Sequence, residues 1–284
     1  MYFVIALIKG VLTNRIRRSE QLVREKEKKE KTVKLYNTLL NSLSHELKTP
    51  IAAIIGATDN LLSDSSGLSE ENKKQLVEEI SIASLRLNQQ VENLLSMSRL
   101  ESGFIAPKKD WVDMNELVYN VINRLENALK NHKIQISIEE NLPYYKLDYG
   151  LMEQVLYNLL YNASIYTPPY TEIQIHVKNN ADKIYKLDLD IHDQRRIRTE
   201  TNFLVITVED RGPGFPPEEI GKVFEKFYRL SNARTGGTGL GLSIVKGFVE
   251  SHNGTVTLEN VPHGARFTIE IPAEISHINN LKNE

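Results

Sequence analysis

An α+β protein is predicted: a helical hairpin that pairs with a second copy as a four-helix bundle, followed by a domain with helices on one face of a sheet. Three features of the 284 residues carry this. Apolar residues recur at spacings of three and four over 33–61 and again over 76–97. After Gly103, helical and alternating segments interleave, the pattern of an α+β domain. Two glycine-rich turns punctuate that second part.

The elements follow in chain order. Residues 2–12 are almost wholly apolar, but a spanning helix needs roughly 20 such residues. Arg15, Arg17 and Arg18 follow, a cationic flank expected on the cytoplasmic side of a membrane segment. This reads as the stump of a transmembrane helix or a shallow interfacial anchor; a mobile helix is the plain alternative. A signal peptide would carry its charge before the apolar run, not after it. Residues 14–34 form a charged linker. The first stripe is Val33, Tyr36, Leu40, Leu43, Leu47, Ile51, Ile54, Thr58 and Leu61. Residues 63–67 break it. Ser69 is placed to cap the second helix, with Glu70 and Glu71 in the first turn where the dipole favours acids. Its stripe is Leu76, Ile80, Ala83, Leu87, Leu94 and Met97. One hairpin has too little core to stand alone, so a homodimer is expected.

Downstream, helices are predicted over 115–130, 151–165 and 240–249. Strands are predicted over 134–138, 173–177, 203–208, 255–258 and 266–271. Residues 179–202 are polar and read as a loop or extended hairpin, an inert surface loop in preference to a partner contact.

Composition excludes several classes. The chain is 40% apolar and 25% charged, as in ordinary soluble proteins. Its net charge of −2 lacks the basic excess of a nucleic-acid-binding domain. With no cysteine, a disulfide scaffold, a thiol nucleophile and a Cys-based zinc site are all excluded.

Four constellations carry chemistry. In the run Ser44 to Pro50, Leu43 and Leu47 lie on the core stripe, and His45 is about 200° around the helix from Leu43. It therefore points to solvent. Glu46 beside it can accept an imidazole proton and leave the other ring nitrogen nucleophilic. Pro50 removes a backbone donor and should loosen the helix. Alone, His45 would be an ordinary surface residue. In the second constellation, Asn158 and Asn162 share one helical face, extended by Gln154. Such carboxamides can hold phosphate oxygens and a hydrated Mg²⁺, a hard cation. In the third, Asp210 to Phe215 follow a strand, where glycines permit close backbone approach and a carboxylate can accept from an adenine amino group. The fourth, Gly236 to Leu242, opens a helix whose N–H groups and dipole suit phosphates. Between the last two, Phe224, Phe227 and Tyr228 can anchor a lid, and Arg229 or Arg234 can reach phosphates. Singly, each has a bland reading as a surface helix or a Gly-Pro turn.

Their order and spacing resemble the core of the bacterial two-component sensor histidine kinases. SHELKTP resembles the phosphoacceptor box, NLLYNAS the N box, EDRGPGF and GGTGLGL the two glycine boxes, and FEKFYR the F box. The wording TPIAAIIGATDNLL, LSMSRLESG and YTPP is similar in particular to potassium-responsive sensor kinases of the KdpD type. The resemblance implies a dimerisation and histidine phosphotransfer hairpin (33–104) after a juxtamembrane segment (1–32), then a Bergerat-type ATP-binding α/β sandwich (110–274). It implies autophosphorylation from Mg-ATP, transfer to a response regulator receiver domain, and attachment at the cytoplasmic face of the inner membrane. His45 would be the phosphoacceptor, Glu46 its acid–base partner, and Thr49 the residue positioning water for dephosphorylation of the partner. Asn162 would bind Mg²⁺, with Asn158 beside it; Tyr166 would lie near adenine and Asp210 would read it. Gly212, Gly214, Gly237, Gly239, Leu240 and Gly241 would shape the pocket, with Phe227 and Arg229 at the lid. One departure is Ile165, where the family commonly carries a phosphate-contacting Lys. Two alternatives stand beside this reading. A Bergerat-fold ATPase would need a water-activating carboxylate, for which Glu153 is the nominee. A degenerate scaffold would bind a regulator without using ATP.

Overall fold

The computed structural model describes residues 17, 26, 44, 46–63, 68–103, 105–180, 202–230 and 238–277. The apolar segment 2–12 and most of the charged linker lie outside these residues. Among the described residues, no helix is long and apolar enough to cross a membrane.

The described parts of both apolar stripes are helical. The first, α1, runs through 46–63 and carries Pro50 within it, buried. The second, α2 (Glu70–Glu101), starts where expected: the Asn72 N–H donates to Ser69 Oγ at 3.2 Å, with Glu70 and Glu71 in the first turn. By contacts the chain divides into Met1–Gln90 and Val91–Glu284. In the first unit Ala57 and Ala83 are buried at 4% exposure each, while Ile51, Ile55, Leu62, Ile82 and Leu85 remain exposed. Among the described stripe positions, Ile51 alone differs from the sequence reading, at 42% exposed. A two-helix layer cannot cover apolar residues on both sides.

The second unit begins with the last turns of α2. Met97 there is 1% exposed, and Leu100 lies against Gly247, where a Cβ would fall 2.4 Å from Leu100 Cδ2. Glu101 pairs with Lys226. A five-stranded sheet follows, in the order β2 (Lys133–Ile138), β4 (Glu172–Asn180), β5 (Asn202–Asp210), β7 (Gly264–Ala273) and β6 (Thr255–Val261). Only the β2–β4 pair is parallel. The helices α3 (Met114–Arg124), α5 (Tyr149–Tyr166) and α6 (Gly241–Ser251) contribute Leu117, Leu156, Leu159, Ile244 and Phe248 to one core with Ile173, Ile175 and Ile206 of the sheet.

Several boundaries differ from the sequence reading for local reasons. The single helix expected over 115–130 is two: α3, capped by Asp113 (Asn115 N–H to Oδ1, 2.8 Å), and the short α4 (Glu126–Leu129). The break is Leu125, at φ −97° and ψ 9°, whose N–H still closes on Val121 and Ile122 carbonyls. Helix α5 stops at Thr167, which is extended (φ −92°, ψ 141°), as the residue before Pro168 should be. In the segment 179–202, read as a loop or extended hairpin, β4 and β5 continue their ladder to the Asn180–Phe203 pair; residues 181–201 lie outside the described ones. A second sheet, β1 (Asp110–Val112), β3 (Tyr144–Leu147) and β8 (Ile275–Ser276), was not expected. Two to four residues are too few for an alternating pattern to register.

One buried histidine ties two helix ends together. His252, fully buried after α6, donates from Nδ1 to the Phe248 carbonyl (2.8 Å) and accepts at Nε2 from the Asp148 N–H (3.0 Å). Asp148 in turn caps α5 through the Leu151 N–H and accepts from the Lys108 N–H. These partners fix the neutral tautomer. Burial, first, and then Lys109 lower its pKa, against the opposing pull of Phe248 and Asp148. The unfolded chain titrates near the ordinary value of about 6.5. Between that value and the lower folded one, the unfolded state binds more protons, so stability falls as pH falls. The melting temperature is expected to hold above neutrality and decline below about pH 6.5. The His252→Gln variant should lack that component of the slope; parallel melting curves for the two proteins would contradict the assignment.

Candidate active site

Helix α5 supplies the spine of the site. Asn158, Asn162 and Tyr166 follow one another at one-turn spacing, so they share a face. Asn158 is 4% exposed, and its Nδ2 finds no acceptor. A buried amide donor costs free energy unless paired, so this orphan points to a partner that the described residues do not supply. The same face meets the start of α6: a side chain at Gly241 would lie 3.7 Å from Asn158 Oδ1 and 3.8 Å from Asn162 Nδ2. Leu240, itself buried, is the N-cap of α6, and no side-chain capping hydrogen bond is made there among the described residues. The polar ends of Asn158 and Asn162 therefore sit beside an uncapped helix N-terminus, an arrangement suited to phosphate.

The end of β5 forms the other wall. Asp210 Oδ1 accepts from the Gly212 N–H at 2.7 Å. A Cβ at Gly212 would sit 2.8 Å from that oxygen, 3.5 Å from the Tyr166 carbonyl and 3.7 Å from Thr167 Oγ. This brings Asp210 to the C-terminal end of α5. Thr167 is 5% exposed and its hydroxyl is unpartnered, the second orphaned polar atom of the site. Burial pushes the Asp210 carboxyl above its ordinary range; the N–H groups of Gly212 and Ala265 pull it back, and neighbouring Glu209 pushes it up. The charge of Glu209 is met by Arg266, whose Nε and Nη2 reach Oε2 at 2.9 and 2.8 Å, and by Arg211 at 3.4 Å.

The aromatic segment packs across these parts. Phe227, in the left-handed region at φ 63°, donates its N–H to the Gly239 carbonyl at 3.1 Å. Gly239 is at φ 68°, and a Cβ there would come within 2.8 Å of the Phe227 and Tyr228 backbone, so glycine is required. The Tyr228 hydroxyl donates to Glu219 at 2.7 Å, which pushes its pKa up to about 12. Arg229 is exposed; Gly214 is in the left-handed region at φ 71°.

Of the sequence-predicted residues, Asn158 and Asn162 thus meet Gly241 at the start of α6, Asp210 and Gly212 meet the Tyr166 end of α5, and Phe227 meets Gly239 next to Leu240. Glu46 and Thr49 belong to the first unit, half-buried and exposed respectively. His45 and Gly237 lie outside the described residues, as does Arg234. Sequence reasoning missed Thr167; its signal was its place, the first residue after a helix and the last before proline. Glu153, nominated for water activation, has Arg124 Nη1 at 3.4 Å. Ile165 is 40% exposed.

Two family models match. Residues 36–103 match the His Kinase A (phospho-acceptor) domain. Residues 147–275 match the ATPase described as histidine kinase-, DNA gyrase B- and HSP90-like. The chain belongs to the sensor histidine kinases, as a kinase core in which a phospho-acceptor hairpin precedes an ATP-binding domain. Among its relatives, the sensor protein KdpD of Clostridium acetobutylicum is 33% identical over 264 residues, 90% of this chain and 27% of that protein. The sensor-like histidine kinase SenX3 of Mycolicibacterium smegmatis is 32% identical over 236 residues, 81% of this chain and 56% of that protein. The chain thus spans about a quarter to a half of the length of these relatives. The histidine kinase AdeS of Acinetobacter baumannii shares the fold, with a TM-score of 0.53 over 80% of this chain and 97% of that one, at 23% identity.

Proposed function

We propose that the chain phosphorylates His45 from Mg-ATP and passes the phosphoryl group to an aspartate of a response regulator receiver domain. The observation that carries this reading is the pair of orphaned buried groups, Asn158 Nδ2 where α5 meets the start of α6 and Thr167 Oγ where its end meets the Asp210 loop. A nucleotide satisfies both ends at once. Its base lies toward Asp210, Tyr166 and Thr167, and its phosphates toward Gly241 and the two asparagines. Gly214, Gly237, Phe227 and Arg229 shape the lid side. Asn162, with Asn158 beside it, would hold Mg²⁺ through carboxamide oxygen, the hard donor such a cation prefers. Among the described residues no group of three His, Asp or Glu side chains is placed to hold a metal. The bound ion would neutralise charge on the phosphates.

In the reaction, one ring nitrogen of His45 forms a P–N bond to the γ-phosphorus as the bond to the β–γ bridging oxygen breaks. ADP departs with that electron pair, and Glu46 takes the proton from the other ring nitrogen. Thr49 orients water in the reverse task, dephosphorylation of the partner. A homodimer is supported by the exposed Ile51, Ile55, Ile82 and Leu85, which a second hairpin would cover. Membrane attachment through the N-terminus rests on the apolar run and its arginines alone.

The deciding experiment is incubation of the purified chain with γ-labelled ATP and magnesium, followed by mapping of the label. Acid-labile, alkali-stable label on the peptide containing His45, discharged by a cognate receiver domain, is the expected result. ATP hydrolysis without retained label would replace this reading with an ATPase.

A further inference from the structure

The loop that carries Asp210 is held at both ends by one hairpin, β6–β7. At its start, the Ala265 N–H reaches the Asp210 carboxyl, as does the Gly212 N–H. At its end, the Asn260 side chain makes two reciprocal hydrogen bonds to one residue: Oδ1 accepts from the Phe215 N–H at 2.8 Å, and Nδ2 donates to the Phe215 carbonyl at 2.7 Å. A carboxamide with one donor and one acceptor side by side matches a peptide's own C=O and N–H, so Asn260 stands in for a strand partner. It also closes the loop from beneath. A Cβ at Gly214 would lie 2.8 Å from Asn260 Oδ1 and 3.3 Å from the Gly264 carbonyl. Ala265 and Asn260 are direct partners in the β6–β7 ladder, so the two staples are rigidly related. The Phe215 ring, next to the clamp, meets Phe267 edge-on at 5.9 Å, and Phe224 meets the same ring at 6.4 Å. The clamp therefore bears on both the loop and the segment leading into the lid.

We infer that Asn260 is a positioning residue for nucleotide recognition: by clamping Phe215 it holds the 210–215 loop so that Asp210 keeps a fixed register toward the base. This rests on the nucleotide reading above. Asn260 touches no part of the expected nucleotide itself; its effect passes through the loop. Release of the clamp leaves Asp210 tethered at one end only. The carboxylate then samples several positions, which weakens binding and blurs discrimination between an amino group and a carbonyl on the purine.

The test uses initial autophosphorylation rates of the full chain at varied ATP and GTP. For Asn260→Ala, the half-saturating ATP concentration should rise about tenfold, the worth of two modest hydrogen bonds, with the limiting rate unchanged. The preference for ATP over GTP should shrink by a similar factor. Thr257→Ala, exposed on the same strand and remote from the loop, serves as the control for strand weakening, with melting curves reporting fold for both variants. An unchanged ATP preference in Asn260→Ala, or an equal loss in Thr257→Ala, overturns the role of Asn260 while leaving the nucleotide reading in place. Failure of the wild-type chain to use ATP overturns both.

Discussion

The His45→Gln chain is expected to retain no label from γ-labelled ATP while binding ATP as the wild type does. The glutamine amide preserves size and polarity but has no basic nitrogen, since its lone pair is delocalised into the carbonyl. The nucleophile is removed and nothing else in the reaction is. The nucleotide groups (Asn158, Thr167, Asp210 and the α6 N-terminus) all belong to the unit beginning at Val91, so their affinity for ATP should not register the change. The expected loss is complete, because a covalent intermediate cannot form on an absent atom, whereas loss of a positioning group leaves residual rate. Label persisting on the variant, with the same acid lability, would move the phosphoacceptor elsewhere. Of the seven histidines, His252 is fully buried and hydrogen-bonded at both nitrogens, so it would not be the substitute.

Gly264→Ala is expected to give the largest loss of both stability and ATP affinity of any single methyl added to the catalytic unit. A Cβ there would fall 1.8 Å from the Asp210 carbonyl oxygen and 2.7 Å from its carbon. Both are backbone atoms, so no side chain can rotate away. Relief requires that the β6–β7 turn withdraw from the end of β5, which breaks the Ala265 contact to Asp210 and displaces the Asn260 clamp. Gly264 is also at φ 157°, outside the range that side-chain-bearing residues prefer. Overpacking costs about 1–3 kcal/mol and sometimes more; with a backbone obstacle the upper end is expected. For a unit of this size that is roughly 2–4 °C of melting temperature per kcal/mol. Gly221→Ala is the matched control, with nothing within 4 Å of its Cβ position. Similar melting temperatures and ATP affinities for the two variants would show that the turn relaxes freely.

The glycines illustrate how much was legible in advance. Gly239 and Gly241 announce themselves by clustering in GGTGLGL at the mouth of a helix. Gly264 is a lone glycine between β-rich runs, and only the approach of β5 to the β6–β7 turn makes it irreplaceable. The same holds for Asn260, an unremarkable polar residue in sequence, and for Thr167, noticed in the run YTPP without a chemical reason. Helix and strand periods were readable because a repeat of 3.6 or 2 leaves its mark over ten or so residues. The three strands of the small sheet have no room for such a mark, and the break at Leu125 carries no glycine or proline to signal it.

By itself, the sequence determined the order of the two modules, the face of α5 that carries Asn158 and Asn162, and the carboxylate at the end of β5, because motif spacing and helical periodicity are local properties. Tertiary structure alone decided that Thr167 joins Asp210, that Asn260 clamps Phe215, and that Glu153 is engaged by Arg124. Those pairings join residues from 29 to 45 positions apart and depend on strand order and helix packing, which no local pattern encodes.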